Sequence, residues 1–74
     1  MHVENLIKMA NQIGDFFAAF PDREEALDGV ATHIKKFWEP RMRRELLAHV
    51  DSVGYGELNA TTAEAIKRHR AQLQ

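Results

Sequence analysis

Pro40 constrains this chain more than any other residue. It lies inside His33–Val50, His-Ile-Lys-Lys-Phe-Trp-Glu-Pro-Arg-Met-Arg-Arg-Glu-Leu-Leu-Ala-His-Val, between two segments whose apolar residues recur at helical spacing. A proline has no backbone N–H and pushes the residue before it out of the α region, so a helix should end near Trp38. The same ring suits the first turn of a new helix, where an N–H would have no intrahelical acceptor. The reading is a helix–corner–helix. The only Trp and five of the ten Lys and Arg residues gather at its bend.

The flanking sequence extends the helical pattern. Val3, Leu6, Ile7, Ala10, Ile13, Phe16, Phe17 and Phe20 recur at three- and four-residue spacing, which predicts an amphipathic helix over 2–20. Gly14 interrupts it at a cost of about 1 kcal/mol relative to Ala, a reason to expect another helix passing close by. Pro21 ends the segment. Asp22 then stands at an N-cap position with Glu25 three residues on, opening a helix over 22–38. Glu24, Glu25 and Asp28 in its first turns and Lys35 and Lys36 in its last complement the helix dipole. Leu27, Val30, Ala31, Ile34 and Trp38 form its buried stripe, with Gly29 a second weak point.

A third helix is expected over 40–51, apolar at Met42, Leu46, Leu47 and Val50, with Glu45 and His49 spaced to pair outside. Ser52–Gly56 reads as a turn. The last helix is expected over 62–74, with Thr61 and Glu64 at capping-box spacing and Ala63, Ile66 and Leu73 as anchors. Its sparse apolar content predicts fraying. The fold class is therefore all-α: a small bundle of three to four short helices, forming one domain over 1–74, with the Pro-marked corner near residue 40.

Size limits what this bundle can do. A 74-residue chain buries only about 60% of the surface its unfolded form exposes, and such a core seldom supplies more than about 3–5 kcal/mol. No Cys is present to staple it. Helix packing or a partner must supply the rest. The net charge of −1 argues against a dedicated nucleic-acid binder. No basic n-region with an apolar run opens the chain, and no apolar run is long enough to span a bilayer, so a cytoplasmic protein without membrane contact is expected.

Catalytic and metal chemistry find little support. His49, Asp51 and Ser52 are close in sequence, but a triad is defined by geometry around a substrate, and a helix C-terminus running into a turn explains them. His2, His33, His49 and His69 are scattered without His-x-x-x-His or Glu-x-x-His spacing. Gly54-Tyr55-Gly56 lacks the Lys and Ser/Thr of a phosphate loop. Phe16, Phe17 and Phe20 lack the cationic face of a membrane anchor. The expectation is no enzyme, no metal and no cofactor in this chain.

The corner is the functional candidate. Arg and Trp are enriched at binding hot spots, which makes the Trp38–Arg44 corner the candidate for partner binding. The alternative is equally open: Trp38 and Met42 fill the core and the arginines are solvated. A second function class is a stand-alone nucleic-acid regulator, using Lys35, Lys36, Arg41, Arg43 and Arg44 around the aromatics.

Leu6-Ile7-Lys8-Met9-Ala10-Asn11-Gln12-Ile13 followed by Phe16-Phe17, then Ala31-Thr32-His33-Ile34 and Phe37-Trp38-Glu39-Pro40-Arg41-Met42-Arg43, resemble another set of sequences. They are similar to the delta subunit of cytosolic NAD-dependent formate dehydrogenases containing molybdenum or tungsten, over about residues 3–60. The resemblance implies a non-catalytic accessory subunit without a redox centre, and because its motif and the hot-spot chemistry coincide at Phe37, Trp38, Arg41, Met42 and Arg43, these are the expected partner-binding residues. It implies an alpha subunit as main partner, carrying molybdopterin guanine dinucleotide and iron–sulfur clusters, with beta and gamma subunits passing electrons to NAD through FMN and further clusters. It also implies a role in stability, assembly or molybdenum-cofactor loading of the alpha subunit, as a permanent subunit or an assembly chaperone that departs.

Overall fold

The structure, a computed structural model, describes residues 2–74; Met1, where the expected domain begins, lies outside them. Five helices follow one another: α1 (Val3–Ala18), α2 (Arg23–Phe37), α3 (Pro40–Val53), α4 (Ala60–Arg68) and α5 (Arg70–Leu73). Among the described residues every regular element is helical, as the periodicity requires.

The corner forms where proline dictates. Trp38 and Glu39 are extended, with ψ values of 141° and 151°, and Pro40 is the first residue of α3. The Trp38 N–H still closes α2 on the Ile34 carbonyl at 3.0 Å. At the other end of α2, Asp22 Oδ1 accepts from the N–H groups of Glu24 and Glu25 at 3.0 and 3.4 Å. This satisfies two of the orphan donors of the first turn.

One buried cluster draws on every helix. Leu6, Ile7 and Ala10 of α1 meet Leu27, Val30 and Ile34 of α2, Leu46 and Leu47 of α3, Ala65 and Ile66 of α4, and Leu73 of α5. The expected stripes of α1 to α3 supply most of it. The contribution of α4 differs from expectation. Instead of fraying, α4 packs against both α1 and α2, and Thr62, Ala65 and Ile66 are completely buried. Ala65 takes the inward place expected of Ala63, which is half-buried.

Gly14 explains how so slim a helix becomes central. A Cβ there would fall 1.9 Å from Thr62 Oγ1 and 2.9 Å from Asn59 Oδ1, so α1 and α4 touch at this point only because the side chain is missing. The Thr62 hydroxyl donates to the Ala10 carbonyl at 3.2 Å, which removes the cost of burying it. The cap of α4 is Asn59, not Thr61. Its Oδ1 accepts from the Thr62 N–H at 2.9 Å, and the helix begins at Ala60. Asn59 wins the position because Asn11 holds it from both sides: Asn11 Oδ1 accepts from the Asn59 N–H at 2.8 Å, and Asn59 Nδ2 donates to the Asn11 carbonyl at 3.0 Å. Thr61 instead accepts from Arg23 Nη1 at 2.9 Å.

Three further details depart from the sequence reading. The third helix continues to Val53, where Gly54 ends it at φ +87°, a conformation that favours glycine. Glu45 and His49 do not pair with each other. Arg41 lies 3.4 Å from Glu45 one turn away, and His49 meets Glu57 across the turn at 2.8 Å. The last segment breaks at His69 (φ −112°, ψ 26°), and the single turn of α5 brings Leu73 back against the core.

Candidate partner-binding face

The five corner residues separate into two groups. Trp38 is 5% exposed and joins the core. Arg43, 9% exposed, is also turned inward. Its guanidinium donates to three backbone carbonyls: Nη1 to Trp38 at 2.8 Å and to Lys35 at 3.3 Å, and Nε to Leu73 at 3.2 Å. These include carbonyls that the ends of α2 and α5 leave without intrahelical partners. Arg43 thus fastens the corner and the C-terminal turn together, a role a planar fork of donors fits better than a lysine would.

The other three face outward. Phe37 is 71% exposed, the Arg41 side chain is 80% exposed, and Met42 is half-buried. Phe37 leaves the helix just before the corner, and its ring stacks at an angle on His33, with centroids 4.7 Å apart. On one side of this pair lies an open groove of about 370 Å³ between α1, α2 and the start of α3, walled by Met9, Ile13, Trp38 and Met42, with Gln12 as its polar neighbour. On the other lies a second groove of about 340 Å³, walled by Phe17 and Phe20 and flanked by Glu25, Asp28 and Lys36.

The second groove follows from another small residue. The Phe17 ring rests over Gly29, where a Cβ would come within 2.5 Å of two ring carbons. Phe17 packs edge-on to Phe16 at 5.0 Å and tilted against Phe20 at 5.1 Å. Phe16 itself is 65% exposed. An aromatic ridge therefore runs from the end of α1 onto α2, wider than the corner itself.

Sequence reasoning centred on the corner did not join Met9, Ile13 and His33 to it, and it gave Phe17 and Phe20 to core or partner burial without linking them to the corner. The available signal was an excess: α1 carries more large apolar residues than a single buried stripe needs. Of the five cations offered to a phosphate backbone, Arg43 is committed inside and Arg41 is paired with Glu45. Among the described residues no group of three or more His, Asp or Glu side chains is placed to hold a metal, and no helix is long and apolar enough to cross a membrane.

Methionine and aromatic side chains thus share one partly exposed face. The family model for the NADH-dependent formate dehydrogenase delta subunit, FdsD, matches residues 5–66. The chain belongs to that family. No match was found among curated proteins or among solved structures. The match spans nearly all of α1, α2 and α3 entire and most of α4, so both grooves lie within the FdsD region. Membership makes this chain a subunit of a formate dehydrogenase complex, with the other subunits of that enzyme as its partners.

Proposed function

We propose that this delta subunit is a non-catalytic accessory chain of a cytoplasmic NAD-dependent formate dehydrogenase. In this reading it docks on the catalytic alpha subunit and supports that subunit's assembly, stability or loading with molybdenum cofactor. The beta and gamma subunits complete the complex, and molybdopterin guanine dinucleotide, iron–sulfur clusters and FMN reside in those partners. The observation that carries the reading is the exposure of Phe37, standing between two largely apolar grooves in a member of a subunit family. An isolated protein gains nothing from holding a phenylalanine in water there, whereas an interface core gains from its burial.

Within the proposed interface the five corner residues act differently. Phe37 and Met42 contact the alpha subunit, Arg41 lies on the rim, and Trp38 forms a groove wall from within the core. Arg43 acts by holding the corner in shape. Deleting this chain and measuring molybdenum and formate-dependent NAD reduction in the remaining subunits tests the assembly role. The expected result is a poorly loaded or unstable alpha subunit; a fully loaded, fully active enzyme would overturn it.

A further inference from the structure

The last turn of the chain shares a hydrogen-bond donor with the corner. α5 is four residues long, too short to stand as a helix by its own hydrogen bonds. Three contacts seat it. The Leu73 side chain, 1% exposed, enters the core. The Arg70 guanidinium pairs with Asp51 of α3 at 2.6 Å. The Leu73 carbonyl accepts from Arg43 Nε at 3.2 Å. This third contact is the shared one. The same guanidinium holds the Lys35 and Trp38 carbonyls, so the C-terminal turn supplies one of the three acceptors that fix Arg43 in place.

Seating the turn also carries a cost. It departs from α4 at His69, whose ring Nε2 is buried with no hydrogen-bond partner. A buried polar atom left so destabilises the arrangement that buries it, and lifting the turn returns that nitrogen to water. α5 therefore has the least to lose on opening: a single turn, one core side chain and a partly exposed ion pair of small worth. Elements of this kind open while the rest of a fold stays closed. Here the opening reaches further than α5. It takes the Leu73 acceptor from Arg43, and Arg43 lies next to Met42 and bonds Trp38, two walls of the groove beside Phe37.

Building on the docking role proposed above, we infer that α5 is a latch on the corner. Seated, it locks Arg43 and with it the positions of Trp38 and Met42. Lifted, it frees the corner and weakens the hold on the partner, because a face that must first be ordered binds less well than one already in shape. Leu73 is thus a positioning residue for a docking face whose grooves it does not line.

Amide hydrogen exchange on the full chain, followed by NMR, reads the latch without a partner. Leu73→Asp unseats the turn; Arg70→Ala weakens it with the core left intact, and serves where the first variant does not fold. The reporters are the Trp38 and Arg43 N–H groups, bonded to the Ile34 and Glu39 carbonyls. The comparison is the Thr62 N–H at the opposite end of α4. Exchange at the two corner amides should rise by about tenfold in Leu73→Asp, roughly the worth of one hydrogen bond to a charged donor. It should rise less in Arg70→Ala, and Thr62 should not change in either. In the complex both variants should dissociate faster than wild type, Leu73→Asp several-fold. A rise shared equally by Thr62 would reduce Leu73 to a packing residue and overturn the inference, as would mobile α5 amides beside an unchanged corner. A loosened corner with undisturbed dissociation would also overturn it, while leaving the docking role standing. Failure of the wild-type chain to co-purify with formate dehydrogenase removes the docking role itself, a result separate from the exchange rates of the chain alone.

Discussion

The Arg43 guanidinium donates to the Trp38 carbonyl at 2.8 Å, across the corner that Pro40 creates. Pro40 breaks the helical ladder, and the break strands carbonyls that an uninterrupted helix would have satisfied. Arg43, three residues into α3, answers two of them and reaches the Leu73 carbonyl as well. The corner is thus held by a cation, while Phe37 just before it stays exposed. Replacing Arg43 by Ala should cost about 2–4 kcal/mol, since it strands buried carbonyls bonded to a charged donor. Arg43→Lys should recover only part, because a lysine cannot span three carbonyls as a fork does. Urea unfolding followed by circular dichroism measures both.

Phe37 and Trp38 are adjacent in sequence and opposite in role. Trp38→Ala should cost about 3–5 kcal/mol as a core truncation, with loss of helicity in the isolated chain. Phe37→Ser should leave stability within about 0.5 kcal/mol, as expected of an exposed side chain, yet lower retention in the complex. Thermal unfolding and co-purification of each variant separate packing from docking.

Gly14→Ala sets two effects against each other. Alanine gains about 1 kcal/mol in helix propensity, but its Cβ would collide with Thr62 and Asn59. The contact wins, because relieving it means separating α1 from α4 and stretching the Thr62 hydrogen bond to Ala10. A net loss of about 1–3 kcal/mol is expected from overpacking, read from the urea midpoint.

Acid should loosen the α2–α4 contact. Glu64 bonds Arg23 Nη2 at 2.7 Å, and this bond, aided by the charges of Arg23, Arg68 and Lys67, holds its carboxyl below the usual range against a smaller opposing effect of burial. A carboxyl whose folded pKa is depressed stabilises the fold above its unfolded pKa, and that contribution fades as pH falls through the folded value. Stability should therefore decline below about pH 4.5, and Glu64→Gln should flatten that decline. Because these groups are exposed, the effect should be small and weaken with added salt. Chemical unfolding across pH 3–7 at two salt concentrations is the check, with a range set around the usual carboxylate pKa.

What could be read in advance was what one element declares about itself. Pro40, the Asp22 cap, the stripes of α1 to α3 and the small residue at Gly14 all carry their consequence locally, and the structure follows them. What could not be read depends on partners far along the chain. Asn59 caps α4 because Asn11 is positioned to hold it, and Thr62 is buried because Gly14 leaves room. Arg43 reads as one more surface cation until the carbonyls of Lys35, Trp38 and Leu73 are brought around it. The same limit applies to the docking face. Phe37 was visible as a candidate, but its grooves are assembled by Met9, Phe17 and Phe20 from another helix.

The central claim is that an exposed face around Phe37 joins this subunit to the catalytic part of the enzyme. Its most direct test is gentle affinity purification of the tagged chain from its source cells, beside a folded Phe37→Ser/Met42→Ser variant. Each eluate is assayed by mass spectrometry, molybdenum content and formate-dependent NAD reduction. The wild-type chain should bring down the alpha subunit with that activity, and the variant should lose most of both. Equal recovery of active enzyme by the two would contradict the account and place the interface elsewhere on the molecule.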